Sequence, residues 1–308
     1  MTVTRCPGCG GQKFHRVGRP APECATVLGG ESFVQPPYSA LRCEECGLIF
    51  KSEMADPDLF PRLYSLADYR TWEIDGLYPT ERMSLAALRG VPPGGRILDF
   101  GCSSGRLLAA LGPEYERLGL EINAAAASVA QARGIRIVSR LADVGVLDAA
   151  LLVDVFEHLM QPMGELKLVA ERLKPGGLLV LTTGDGDAPA CRDDPAGFWY
   201  FRTVQHLIML TRQYAEFLQP HLDATLISWQ NVSHYDTPAT EKIFQWARRL
   251  AYDIFHASPP RRGRWLASML PFIRRARHWT QQPQFTCSAD HVVAVFRKNA
   301  PPAEGGGA

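Results

Sequence analysis

The segment that most constrains this chain is an apolar run, Arg96-Ile97-Leu98-Asp99-Phe100, followed by the turn Gly101-Cys102-Ser103-Ser104-Gly105 and a helical pattern opening at Arg106-Leu107-Leu108. In a parallel sheet this order delivers a strand's carboxyl end to a ligand held at a helix N-terminus. Glu121 closes a second apolar run, Arg117-Leu118-Gly119-Leu120, about 20 residues on, where a nucleotide-binding βαβ unit carries its ribose-binding acid. A dinucleotide fingerprint beginning at Gly101 needs glycine at 103 and 106, and the chain has Ser103 and Arg106. A pyrophosphate therefore fits poorly, whereas a nucleoside without phosphates still fits.

Four blocks in order extend the pattern: Leu98 to Gly105, Gly119-Leu120-Glu121-Ile122, Val153-Asp154-Val155-Phe156-Glu157-His158-Leu159, and Leu173-Lys174-Pro175-Gly176-Gly177 with the apolar run after it. With them the chain resembles the class I S-adenosylmethionine-dependent methyltransferases across roughly residues 91–230, and Asp290 to Lys298 resembles the last strand of that fold. The resemblance implies a Rossmann-like, seven-stranded, mostly parallel α/β sheet. It also implies a cofactor site at Asp99, Gly101, Cys102, Ser103, Gly105, Glu121, Ile122 and Asp154. In it Asp99 meets the cofactor's amino-acid end and Glu121 the ribose hydroxyls. Ser103 departs from the family's usual glycine, but serine is small enough to keep the backbone approach open.

Five of the eight cysteines fall within residues 1–52, and Cys6-Pro7-Gly8-Cys9-Gly10 and Cys43-Glu44-Glu45-Cys46-Gly47 form two near-identical knuckles. The N-terminus has no apolar signal core and no apolar run approaches the roughly 20 residues that span a bilayer, so we expect a cytoplasmic protein with reduced thiols. Four thiolates at Cys6, Cys9, Cys43 and Cys46 then suit one tetrahedral Zn2+, structural because no coordination position stays open. Cys24 belongs to no pair. The segment Leu41 to Phe50 resembles the ribbon preceding bacterial methyltransferases of sugar, polysaccharide or secondary-metabolite tailoring.

This divides the chain into a zinc ribbon (1–52), a helical linker (53–90), a methyltransferase domain (91–298) with a helical insertion at 239–280, and a disordered tail (299–308). Within the domain we expect helices at 105–111, 124–133, 162–173 and 203–218, and strands at 96–100, 117–121, 135–138, 149–155, 178–182, 224–232 and 291–297. His158, just past the fourth strand, is the leading general-base candidate because imidazole titrates near neutrality; ordering the shell is its other reading. His206 is a second candidate, at the start of the helix after strand five, with a capping or packing role as the alternative. Trp199 and Tyr200 suit an aromatic wall.

Methylation of a small molecule or of a glycan or nucleotide-sugar precursor is the expected activity. The 33 Lys and Arg against 32 Asp and Glu leave no global bias toward polyanions. Arginines of the insertion, in Arg261 to Trp265 and Phe272 to Trp279, still leave open a solvated face, a diphosphate-bearing acceptor, peripheral membrane contact or RNA. An RNA methyltransferase and a non-catalytic S-adenosylmethionine-binding scaffold are therefore the alternatives.

Overall fold

A computed structural model describes residues 1–189, 191–256, 269–279, 283, 285, 286 and 288–301. Along the chain, β1 (Phe14–Ala21), β2 (Cys24–Leu28), β3 (Glu31–Gln35), β4 (Tyr38–Cys43) and β5 (Ile49–Lys51) make up the N-terminal ribbon. β2 and β3 form a hairpin between the two knuckles, and β1, β4 and β5 pair antiparallel. The short helices α1 (Phe60–Leu66) and α2 (Pro79–Ala87) follow. Asp56 opens the first turn there by accepting from the Asp58 amide.

The sheet of the C-terminal part is laid down by β6 (Arg96–Phe100), α3 (Arg106–Ala109), β7 (Glu116–Leu120), α4 (Ala124–Ala132), β8 (Arg136–Val138), β9 (Leu147–Val153), α5 (Pro162–Ala170) and β10 (Leu173–Gly184). After it come β11 (Ile208–Met209), α6 (Arg212–Leu222), β12 (Ala224–Val232), α7 (Ala239–His256), α8 (Pro271–Ala276) and β13 (His291–Lys298). Seven strands run in the order β12-β13-β10-β9-β6-β7-β8. β10, β9, β6, β7 and β8 are mutually parallel, and β13 is antiparallel to both its neighbours. Ile97, Leu98, Ala149 to Leu151 and Leu179 to Leu181 are fully buried, as expected of strands covered on both faces. This is the expected Rossmann-like class, with a helical insertion before the last strand.

Several boundaries differ from the sequence reading. β9 ends at Val153 because Asp154 turns into the left-handed region, φ +52°. α3 is only four residues long, stopped where the chain turns at Gly112, and α5 ends at Ala170 so that β10 can start at Leu173. The larger correction concerns 203–218. Residues 203–210 are not helical; β11 lies there, and the helix starts at Arg212 behind a Thr211 cap. Tertiary pairing overrides the local pattern, because β11 pairs with β5 of the ribbon.

The ribbon is thus continuous with the rest of the chain through a four-stranded sheet, β1-β4-β5-β11. Asn299, in the expected disordered tail, is held by Asp223 and Thr225; residues 302–308 lie outside the described residues, as does the Arg261 to Trp265 cluster. Arg274, Arg275 and Arg277 are exposed around α8. Among the described residues no helix is long and apolar enough to cross a membrane.

Candidate functional site

The turn after β6 is built for close approach. Gly101 sits at φ +80°, and an added Cβ there would meet Val155 Cγ2 at 2.6 Å. Gly105, at φ +73°, packs against Ala130 and Ile135. Ser103 adopts φ +48°, a conformation that favours glycine. Its amide donates to Glu121 Oε2 at 2.8 Å, and the Asn123 amide donates to the other carboxylate oxygen at 2.7 Å. The turn and the acid ending β7 are therefore held together, as the sequence predicts.

Of the other predicted residues, Ile122 is exposed on the same rim. Cys102 turns its thiol inward, where Gly119 leaves room for it, so that only its main chain belongs to the turn. Asp99 is buried beneath, and its Oδ1 has no hydrogen-bond partner among the described residues. Burial first, then the charges of Glu81 and Glu121, push its carboxyl up to about 8. Three acids facing one notch, one of them unpartnered, suit a positively charged ligand. Residues 73–78 lie across the loop: Glu73 accepts from the Ser104 hydroxyl and from Arg133, and Arg106 donates to the Gly76 carbonyl. A cavity of about 380 Å³ opens between this segment and Arg106 and Arg133.

The family profile for the methyltransferase domain matches residues 75–236, just over half of the chain. The chain belongs to that family. It is a class I methyltransferase and uses S-adenosylmethionine. Among curated relatives, the ubiquinone biosynthesis O-methyltransferase of Xanthomonas campestris pv. campestris (strain B100) is 29% identical over 180 residues, covering 52% of this chain and 73% of its own. The protein of that name from Xanthomonas axonopodis pv. citri (strain 306) matches with the same identity and coverage. Among solved structures, the N-methyltransferase NodS of Bradyrhizobium japonicum WM9 with S-adenosyl-L-homocysteine aligns at TM-score 0.46 and 13% identity, over 78% of this chain and 97% of its own.

Beyond the turn, this methyltransferase carries a polar cluster that the sequence showed only in part. Tyr200 donates to Asp154 Oδ1 at 2.9 Å and also lies against Glu157 Oε1, while the Thr183 hydroxyl donates to Glu157 Oε2 at 2.8 Å. Glu157 is fully buried; burial, then the neighbouring Asp154 charge, hold its carboxyl up to about 8.

The two predicted histidines sit behind it. His158 Nδ1 faces the Gln205 carbonyl at 3.1 Å and His206 Nδ1 faces the Tyr200 carbonyl. A carbonyl only accepts, so each Nδ1 carries the proton and each Nε2 turns a lone pair toward Glu157, at 3.6 and 3.9 Å. Burial lowers the His158 imidazole to about 4 and drives that of His206 down as well. His206 comes from the extended segment before β11, not from a helix.

Sequence reasoning missed Tyr200 as a hydrogen-bonding group, and it missed His234 and His291, which stand beside Asp154. Nothing local marks them: His234 follows β12, His291 opens β13, and only the sheet order brings the two together.

In the ribbon, Cys6 and Cys46 Sγ lie 3.6 Å apart, and so do Cys9 and Cys43 Sγ. Tetrahedral zinc–thiolate bonds of about 2.3 Å place sulfurs about 3.8 Å apart, so the four thiols have the spacing of one ion. Gly10 and Gly47, at φ +78° and +79°, turn the knuckles, and the Gly11 amide points at Cys9 Sγ at 3.4 Å. Tyr214 and Thr211 of the α6 N-terminus bond to the Gly8 and Gly47 carbonyls, tying the knuckles to the domain. Cys24 stays outside this group and donates to the Arg202 carbonyl. A second cavity, about 350 Å³, lies where the ribbon meets the domain and is lined by Arg19, Tyr38, Trp199, Arg202 and Tyr252.

Proposed function

We propose that this protein transfers a methyl group to a hydroxyl of a small molecule, with Asp154 as the acceptor's proton partner. The observation that carries the reading is the Tyr200 hydroxyl placed against two carboxylates of unlike environment. Glu157, sealed from water and facing two imidazole lone pairs, keeps its proton. Asp154, whose side chain is 30% exposed, is the member that a bound acceptor reaches. The two carboxyls divide the roles by their surroundings, the buried one holding a proton and the exposed one open to the acceptor. Tyr200 fixes Asp154 from behind, and His158 and His206 position Glu157. The relatives' name, ubiquinone biosynthesis O-methyltransferase, supports oxygen over nitrogen or carbon as acceptor atom.

Gly101, Ser103, Gly105 and the Cys102 main chain would admit the cofactor. Glu121 and Ile122 would line its nucleoside end and Asp99 its ammonium. When bound, S-adenosylmethionine supplies an electrophilic methyl on a sulfonium. The chain's own part is to orient the acceptor, keep water out and receive its proton. Cys6, Cys9, Cys43 and Cys46 would hold structural Zn2+. Glycan or nucleotide-sugar precursors stay within the proposed substrate class, since a hydroxyl is all the site requires. For the RNA reading, Arg19 and Arg42 of the ribbon are engaged by Asp194, Tyr252 and Asp187, which leaves the exposed Arg5, Lys13 and Arg16 to meet a polyanion.

Transfer of labelled methyl groups into a metabolite extract, resolved by mass spectrometry, tests the proposal. Label on the oxygen of a small hydroxylated compound, lost in Asp154→Asn, supports it. Label found only in RNA, or an Asp154→Asn variant with undiminished turnover, overturns it.

A further inference from the structure

Around Asp154 the structure gathers hydrogen-bond acceptors without a donor. His291 is fully buried, and its Nδ1 lies 2.9 Å from Asp290 Oδ1. A carboxylate accepts, so Nδ1 carries the proton and Nε2 presents a bare lone pair. The Trp199 indole holds the other Asp290 oxygen at 3.0 Å, so both the ring's orientation and its tautomer are fixed. His291 Nε2 has no hydrogen-bond partner among the described residues, and neither has His234 Nδ1, on a side chain 11% exposed.

The His234 and His291 rings stand 4.7 Å apart, and Tyr78 stacks on His234 at 5.0 Å from the other side. Asp154 Oδ2 faces His234 Nδ1 at 3.8 Å, too far for a hydrogen bond. The ligand atoms of Asp154, His234 and His291 all lie within 4.8 Å of one another.

We propose that Asp154, His234 and His291 form a binding site for a divalent first-row transition metal ion at the acceptor end of the cleft. A fixed imidazole lone pair, a second imidazole nitrogen without a partner and a carboxylate converge on one point, and leaving such buried groups unsatisfied is costly. Two metal bonds of about 2.1 Å reach across the gap between Asp154 and His234. An Asp290 carboxylate behind a histidine whose other nitrogen points into the site is the outer support that metal-bound imidazoles have. Imidazole nitrogens select zinc, cobalt, nickel or iron over magnesium or calcium, and two histidines with one carboxylate leave coordination positions open to an acceptor oxygen. The ion would thus hold a hydroxylated acceptor by its oxygen. This deepens the proposed function and shares Asp154 with it, so its test reads metal binding and not turnover.

The experiment titrates the full-length protein with Co2+. The four-cysteine cluster reports through thiolate-to-cobalt absorption, and the site proposed here through the weaker visible bands of a nitrogen- and oxygen-ligated ion. The wild type is expected to bind one ion of the second kind. His234→Gln and His291→Gln should each weaken it by about tenfold or more while leaving the thiolate absorption unchanged. If His291→Gln fails to fold, His234→Gln and Asp154→Asn carry the comparison. A wild type showing no cobalt outside the thiolate chromophore, or variants binding it as tightly as wild type, overturns the inference. The reading of Asp154 as proton partner survives that result.

Discussion

The four-cysteine knuckles and the acidic cleft both collect groups that want a cation, yet they are built by opposite routes. Each knuckle is complete within five residues, its geometry set by a glycine turn, and only the pairing of one knuckle with the other, Cys9 with Cys43 and Cys6 with Cys46, spans 34 and 40 positions. The cleft has no such local unit. Asp99 near the end of β6 and Glu121, Asp154, Tyr200 and His234 from four separate connections are brought together because parallel strands all end at one edge. The difference bears on stability. A sheet buried on both faces keeps its shape without its ligand, whereas four clustered thiols have little reason to stay together without an ion. Among the contacts that join the two regions, a main-chain link runs through β5: the Lys51 amide donates to the Leu207 carbonyl, and the Leu207 amide donates to the Glu157 carbonyl.

The largest expected effect breaks the comparison at that meeting point. Removing zinc with a strong chelator, or the change Cys43→Ser, should lower Tm by about 10 °C or more, because a structural zinc contributes several kcal/mol and each is worth roughly 2–4 °C in a protein of this size. Were the ribbon an independent appendage, turnover per folded molecule would survive. Because β5 holds the segment carrying His206 against Glu157, turnover should fall with it. A calorimetric scan beside single-turnover rates separates the two outcomes, and full activity in a chelated, folded protein would restore the view of the ribbon as a separate staple.

On the cleft side the next largest effect belongs to Gly101→Asp. The new Cβ would collide with Val155, in a backbone conformation that only glycine tolerates well, and would add a fourth acid to the notch. S-adenosylmethionine binding should weaken at least ~100-fold by calorimetry, with zinc content unchanged. Tyr200→Phe should instead leave cofactor affinity within about threefold and lower kcat by about 10²-fold or more, since it removes the link between Asp154 and Glu157.

The pH dependence sharpens the contrast further. Asp99 is held up to about 8 in the folded protein, far above its unfolded value, so it stays protonated at neutral pH. A cationic cofactor beside it favours the carboxylate. Binding should therefore release a proton and tighten as pH rises toward about 8, by at most tenfold per unit. The free protein should behave in the opposite sense. The stability contributed by a raised carboxyl is present in full below its unfolded value near 4 and is lost as pH climbs through the folded one, and Glu157, also held at about 8, adds to this. Isothermal titration at pH 6, 7 and 8, with thermal melts of the free protein, reads both; flat affinity with no proton release would remove Asp99 from the site.

How much of this was legible in the sequence follows the same division. The knuckles and the β6 turn are local signals, and the strands around them could be read because apolar runs buried on both faces stand out. The stretch 203–210 could not. Val204, Leu207, Ile208 and Leu210 are spaced as on a helix, and the strand that claims them, β5, lies about 150 residues earlier in the sequence. His234 and His291 escaped for a related reason, since no spacing predicts that the second residue after β12 will face the first residue of β13. Glu157 was in plain view beside His158, but its sealing by Thr183, Tyr200 and two imidazoles is a product of tertiary packing.

The smallest effect concerns Ser103, a position where the family resemblance leads one to expect glycine. Ser103 holds φ +48° between Gly101 and Gly105, and a side chain in that region costs about 1 kcal/mol or more. Ser103→Gly relieves that strain but frees the unfolded chain, which offsets part of the gain. The net expectation is a stabilisation of at most about 1 kcal/mol, measured by urea unfolding, with the bond from residue 103 to Glu121 retained because the amide makes it. A destabilised Ser103→Gly protein would mean that the hydroxyl, and not merely the backbone, belongs to the site. In that case serine there would be a choice made for this chain's own ligand.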